Sequence, residues 1–223
     1  MSGYEVVHID ELESFPVDDE GLTWRPIRRR FDIRAFGVNA YTAGRQGQRV
    51  VEEHRETNGH EELYIVIAGR ATFMLDGEEH DAPAGTLVHC PPDTLRSAFA
   101  AEPGTTVLGI GAKPGEVFQP SGWEWSFAAF ALLKQGETER ARAELEAGVA
   151  ERPDAWQGHY NFACLEARAG DNVAALRHLR RAAELEPDEV ATLAAGDQDF
   201  AELRENEQFL AITGQPDAGS SGA

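Results

Sequence analysis

The chain has 223 residues, 42% of them apolar and 26% charged, a balance that permits one large or two small domains with real cores. Acidic side chains outnumber basic ones 39 to 20, giving a formal net charge of −19. That field repels phosphate backbones, so nucleic acid and anionic membrane surfaces are excluded as partners. The opening MSGYEVVHIDELE lacks the basic and apolar regions of a secretory signal, and no apolar run approaches the ~20 residues of a membrane span. The chain reads as a cytoplasmic, bacterial-type soluble protein.

Residues 1–30 read as an N-terminal extension packing on the adjoining β-rich half, with Arg28-Arg29-Arg30 as a strand-flanking, salt-bridged run. From Ile33 to Ala112 the chain is written in short strands: Ile33–Ala40, Leu63–Ala68, Ala71–Leu75, Thr86–Cys90 and Thr105–Ile110. Gly69-Arg70, Asp76-Gly77, Pro83-Ala84-Gly85 and Pro103-Gly104 separate them, as hairpins and tight connections require. Strands this short and this regularly spaced predict an all-β barrel or sandwich over 31–118. Cys90 falls here and Cys164 in the second half, so both read as buried apolar residues rather than a disulfide or zinc pair.

Beyond Pro120-Ser121-Gly122 the texture changes. From 123 to 212 the chain is rich in Ala, Leu, Glu and Arg with apolar residues at helical spacing. Slid against itself, it matches Gly136 with Gly170, Ala141 with Ala175, Leu145 with Leu179 and Pro153-Asp154 with Pro187-Asp188, each pair 34 apart. This half resembles the tetratricopeptide family, whose helix–turn–helix unit has that period. Gly148 and Glu166 depart from the pattern, standing where an alanine and an apolar residue are usual. With only two full repeats and an atypical Val190–Ile212 element, the array is expected to lean on the β half through Trp125 and Phe130. The resemblance implies a protein-docking face lined by His159, Phe162 and Glu166. Residues 213–223 read as a polar, disordered tail.

The run Gly59-His60-Glu61-Glu62-Leu63-Tyr64-Ile65-Val66-Ile67-Ala68-Gly69 and the later Gly85-Thr86-Leu87-Val88-His89-Cys90-Pro91-Pro92-Asp93 resemble the two cupin motifs. The resemblance implies a jelly-roll barrel and, in the family, one divalent metal held by three histidines and a glutamate. Glu62 stands at the glutamate place, six residues before Gly69. The histidine pair falls on Glu56 and Asn58, or on Arg55 and Thr57, and the third histidine's place holds Arg96. An arginine stays protonated and cannot ligate a metal. A bidentate Arg96–Glu62 ion pair in place of a metal is therefore the first expectation. Arg96 binding a small anionic ligand is the second. A non-standard site of His54, Glu56, His60 and Glu62 for zinc, iron, nickel or manganese is the third.

Tyr64 shares the pleat face of Glu62, and Tyr41 lies on an earlier strand, so the expected ligand pocket is Tyr41, Glu62, Tyr64 and Arg96. His89 reads as a hydrogen-bonded core histidine and His80 as solvent-exposed in a hairpin. No phosphate loop, nucleophile elbow or Cys–His pair at catalytic spacing is present, and no catalytic residue is assigned. The reading is a multi-domain protein: a metal-poor cupin barrel joined to a tetratricopeptide-like α-helical domain. Its expected function is non-catalytic, small-molecule sensing or protein interaction, with no cofactor. A metal-dependent cupin oxygenase, isomerase or epimerase is the alternative. An apolar outer face of Leu63, Ile65 and Ile67 is expected to be covered, most simply in a homodimer.

Overall fold

The computed structural model describes residues 4–57 and 59–214. Asn58 and the stretch 215–223 of the tail expected to be disordered lie outside the described residues. The chain divides into two compact units, Met1–Pro120 and Ser121–Ala223.

In the first unit a short 3-10 turn, Ile9–Glu11, precedes β1 (Phe15–Pro16), β2 (Thr23–Arg25) and a single helical turn, α1 (Ile27–Arg30). Then come β3 (Gly37–Thr42), β4 (Arg49–His54), β5 (Glu61–Ala68), β6 (Arg70–Leu75), β7 (Glu78–Pro83), β8 (Leu87–Cys90), β9 (Arg96–Ala100) and β10 (Thr106–Ala112). They form a six-stranded sheet in the order β1-β2-β3-β10-β5-β8 and a four-stranded sheet in the order β4-β9-β6-β7. Every pairing is antiparallel.

The core lies between the sheets. Tyr64, Val66, Val88 and Val107 come from one, and Val51, Ala71, Phe73 and Ala98 from the other. The first thirty residues supply β1 and β2 to the larger sheet, and Trp24 is wholly buried. The basic run forms the helical turn α1, which directly follows β2. Arg30 pairs with Glu5, while Arg28 is buried with its guanidinium 5.9 Å from the Phe118 ring.

Tight turns explain the register. Asp76 and Gly77 both take positive φ between β6 and β7, a conformation that suits Asp-Gly hairpins. Gly69 also has positive φ, and a Cβ there would lie 2.7 Å from Thr105 Oγ1, so only glycine fits the β5–β6 corner.

The second unit is helical. It contains α2 (Trp123–Lys134), α3 (Thr138–Glu151), α4 (Trp156–Arg168), α5 (Asn172–Leu185) and α6 (Pro187–Gly196). A 3-10 segment, Gln198–Leu203, and α7 (Glu207–Thr213) complete it. Gly136 and Gly170, both at positive φ, turn α2 into α3 and α4 into α5. Pro187 opens α6, where its missing N–H costs no helical bond. Phe200, Phe209, Leu179 and Val190 are wholly buried in the core of this unit.

The two aromatics expected to seek the β half have partners within their own unit. A Cβ on Gly148 would lie 2.9 Å from Trp125 Cγ, so the glycine that departs from the repeat pattern makes room for that indole. The Arg168 guanidinium sits 4.8 Å above the Phe130 ring. Among the described residues no helix is long and apolar enough to cross a membrane.

Candidate functional site

Three strands and one loop carry the polar cluster of the β unit. Pleating turns Glu62, Tyr64 and Val66 of β5 to the interior, and cross-strand register sets their depth. Glu62 lies opposite Gly111 and Cys90, in the interior row beside Gly37. Tyr64 lies one row deeper, opposite Gly109 and Val88. The space is close at Gly111, where a Cβ would stand 3.2 Å from Glu62 Cγ, whereas a Cβ on Gly109 would meet the Tyr64 ring at an ordinary contact distance of 3.5 Å. From the other sheet, His54 of β4 pairs with Arg96 of β9, so both side chains leave the same face.

These groups converge on one oxygen. Glu62 Oε2 accepts a 2.6 Å hydrogen bond from the Tyr64 hydroxyl. It also lies 3.2 Å from Arg96 Nε and 3.5 Å from His54 Nε2. Arg96 is 0% exposed, against 18% for the Glu62 side chain. The expected ion pair is in place, but it is not bidentate. Arg96 Nε is aimed off the hydrogen-bonding direction. The other nitrogens donate to carbonyls instead: Nη1 to His54 at 3.5 Å and Pro92 at 3.3 Å, Nη2 to Pro91 at 3.3 Å. The β8–β9 loop therefore grips the guanidinium from behind, and an anion finds no exposed edge of it.

Burial alone would raise the Glu62 pKa, but His54, Tyr64 and Arg96 together hold it below the ordinary carboxylate value. Glu62 in turn raises the His54 pKa against the opposing effect of burial. Burial first, then the Glu62 charge, pushes the Tyr64 phenol up, so it remains a proton donor.

The two shifts bound a pH window. Glu62, lowered in the fold, contributes stability above its unfolded value near 4.5, lost as pH falls through the folded pKa. His54, raised in the fold, contributes stability fully present below 6.5 and lost as pH rises through its folded pKa. Stability of the β unit is therefore expected to peak between these two values. In His54→Gln the alkaline decline should flatten, as read by thermal unfolding across a pH series. An unchanged alkaline limb would remove His54 from the pair.

Tyr41, by contrast, sits opposite Val107 and Trp24, two interior rows deeper than Glu62, or about 13 Å along the strand at ~3.3 Å per residue. It packs against the hydrophobic core. His89 is exposed on the outer face opposite Leu63, not in the core as expected, and His80 is exposed. Along that outer face Ile67 is 40% and Leu87 62% exposed.

Of the four alternative metal ligands, His54, Glu56 and Glu62 bring ligand atoms within 4.8 Å of one another. His60 joins only through Glu56, its Nδ1 3.9 Å from Glu56 Oε2. The donor set nonetheless does not fit a divalent metal. A dication on Glu62 would face the wholly buried Arg96, and a dication about 4 Å from a unit positive charge is repelled by about 8 kcal/mol at an effective dielectric of 20.

In the helical unit a groove of about 530 Å³ opens between α3, α4 and α5, lined among others by Arg142, Phe162, Glu166, Val173, Arg177 and His178. Phe162 is buried and stacks on His178 at 3.9 Å. His159 lies behind, its ring 6.2 Å from His178, and Nε2–H donates to the Pro153 carbonyl at 3.2 Å. Burial, then Arg177 and His159, lowers the His178 pKa to about 4, so this imidazole is uncharged at neutral pH. Glu166 is 3% exposed and is held by the Arg142 fork, Nε to Oε1 at 2.9 Å and Nη2 to Oε2 at 2.8 Å. Val173, at 80% exposure, is the apolar lip.

One further cluster escaped the sequence reading. Tyr160 Oη and Cys164 Sγ point to Asp197 Oδ2 at 2.9 and 3.7 Å, and Arg168 Nε donates to Asp199 at 2.7 Å. Burial, then Asp197, pushes the Cys164 thiol up, so it stays protonated and serves as a structural link. A separation of 33 positions between Cys164 and Asp197 hides that link from any local motif.

Residues 45–108 match the family model described as Cupin domain. No curated protein matches the chain. Among solved structures, it is similar to a sugar phosphate isomerase from a cupin superfamily from Silicibacter pomeroyi, at 16% identity and TM-score 0.44 over 49% of this chain and 76% of that one. It is also similar to an RmlC-like cupin protein from Desulfovibrio desulfuricans, at 22% identity and TM-score 0.40, covering 48% and 97% of the two chains. KdgF from Halomonas sp. is similar at 18% identity and TM-score 0.40, covering 48% and 92%. The protein is a cupin-like β domain followed by a helical region.

Proposed function

We propose that this is a non-catalytic binding protein in which the helical region, a tetratricopeptide-like array, docks a peptide segment of a partner protein. The cupin-like barrel serves as a structural or small-molecule-sensing module. The observation that carries the reading is the groove between α3, α4 and α5, open and edged by exposed Val173 and Arg177. The barrel cluster supports it from the other side, because Glu62, Tyr64, Arg96 and His54 are engaged with one another and with backbone carbonyls. The outer face of Leu63, Ile65, Ile67 and Leu87 is assigned to a second copy of the chain.

The metal-dependent enzyme is the second reading, favoured by the convergence of His54, Glu56 and Glu62 and opposed by Arg96. The test is selection of peptides from a displayed library on the full-length protein, followed by anisotropy titration. Val173→Glu and Arg177→Glu, both at exposed positions, are expected to weaken the selected peptides roughly tenfold or more, about 1.4 kcal/mol. Peptides that bind both variants as well as the parent would place docking elsewhere.

A further inference from the structure

We infer that Arg96 stands in for a metal ion: its guanidinium is the fixed cation that keeps the His54–Glu56–Glu62 cluster from taking up a divalent metal. A neutral ligand at position 96 should turn the cluster into a metal site. The inference concerns the barrel alone and does not depend on the peptide-docking reading.

The cluster is otherwise arranged as metal ligands are. His54 Nδ1 lies 2.8 Å from the Glu52 carbonyl, which can only accept, so Nδ1 carries the proton. An imidazole tethered this way presents its other nitrogen outward, as metal-bound histidines do. That nitrogen, Nε2, faces Glu62 Oε2 at 3.5 Å and Glu56 Oε1 at 3.8 Å. Two carboxylates and an imidazole edge turned toward one point call for a cation.

The cation present is Arg96, 3.2 Å from Glu62 Oε2. Three backbone carbonyls hold it, and it is wholly buried, so it cannot swing aside to admit an ion. Its charge also balances only one of the two carboxylates, whereas a dication would balance both. Position 96 is the cross-strand partner of His54, so a histidine placed there leaves β9 on the face that already carries the imidazole. The second imidazole would supply a fourth donor and remove the repulsion in one substitution.

The experiment uses tag-free, full-length protein stripped with chelator and titrated with Co²⁺, read by calorimetry and by visible d–d absorption. The parent should show no stoichiometric binding. Arg96→His should bind one ion per chain with ligand-field bands, and adding Glu62→Gln should abolish them. Arg96→Gln, which keeps a donor toward the Pro91 and Pro92 carbonyls, should bind more weakly than Arg96→His and roughly tenfold or more tighter than the parent. Circular dichroism shows whether each variant is folded. Stoichiometric Co²⁺ on the parent, lost in its Glu62→Gln variant, overturns the inference. So does a folded Arg96→His that binds no ion. If neither variant folds, the parent titration decides: one ion per chain refutes the proposal, and none supports it.

Discussion

Arg96→Ala is expected to destabilise the β unit by about 3–5 kcal/mol, the usual consequence of removing one partner from a buried ion pair. Three losses add here. The Glu62 carboxylate, 18% exposed, keeps only Tyr64 and His54. The carbonyls of Pro91, Pro92 and His54 each lose a donor, those of Pro91 and Pro92 keeping the Thr94 and Glu56 backbone N–H groups. A wholly buried side chain also leaves a void between the sheets. Lysine should recover little, because one ammonium cannot reach both the carboxylate and three carbonyls in the planar guanidinium arrangement. Glu62→Gln combined with Arg96→Met should cost less than Arg96→Ala, since neither a charge nor a large cavity remains. Two compact units need not unfold together, so denaturant-dependent hydrogen exchange at the β9 amides is the suitable measurement. A loss below about 1 kcal/mol would mean that water reaches the carboxylate and takes over the role of Arg96.

The ion pair was legible in the sequence because motif spacing put Arg96 and Glu62 at places that face one another. Its single-ended geometry was not, because nothing local announces that the Pro91 and Pro92 carbonyls compete for the guanidinium. Tyr41 marks a second boundary. A period of two tells which face a residue occupies but not which row, and cross-strand register carried Tyr41 two rows below Glu62. Strand detection failed for a related reason. β3, β5, β6, β8 and β10 contain apolar runs or alternation, whereas β7 reads Glu-Glu-His-Asp-Ala-Pro and buries only Ala82. β9 hides its nature by burying Arg96 and Ser97 beside Ala98. The helices were the most legible part, since the glycines 34 residues apart at positive φ are a backbone requirement written directly in the chain. Their two departures from the repeat pattern, Gly148 and Glu166, proved to be paired with residues far away in sequence, Trp125 and Arg142.

The second of these departures yields the other large expected effect. Glu166 stands where the repeat pattern calls for an apolar side chain, is 3% exposed, and is neutralised by the Arg142 fork from α3. Arg142 also reaches Glu139, and Glu166 raises its pKa further, so it stays charged at any working pH. Arg142→Ala strands the carboxylate inside the helix packing and should cost the helical unit about 3–5 kcal/mol. Arg142→Lys should recover only part of that, having one charge but no fork. The decisive variant removes both charges. Arg142→Met with Glu166→Leu restores the apolar residue the pattern expects, and replacing a buried ion pair by packed apolar groups ranges from neutral to about 1–4 kcal/mol stabilising. A double-mutant cycle on urea unfolding, followed by hydrogen exchange in α4, should therefore give a strongly non-additive coupling. If the double variant loses as much as the two single changes summed, Glu166 is held by something other than Arg142. If it is stable but peptides selected on the parent no longer bind, the pair belongs to the groove's recognition surface as well as to its packing.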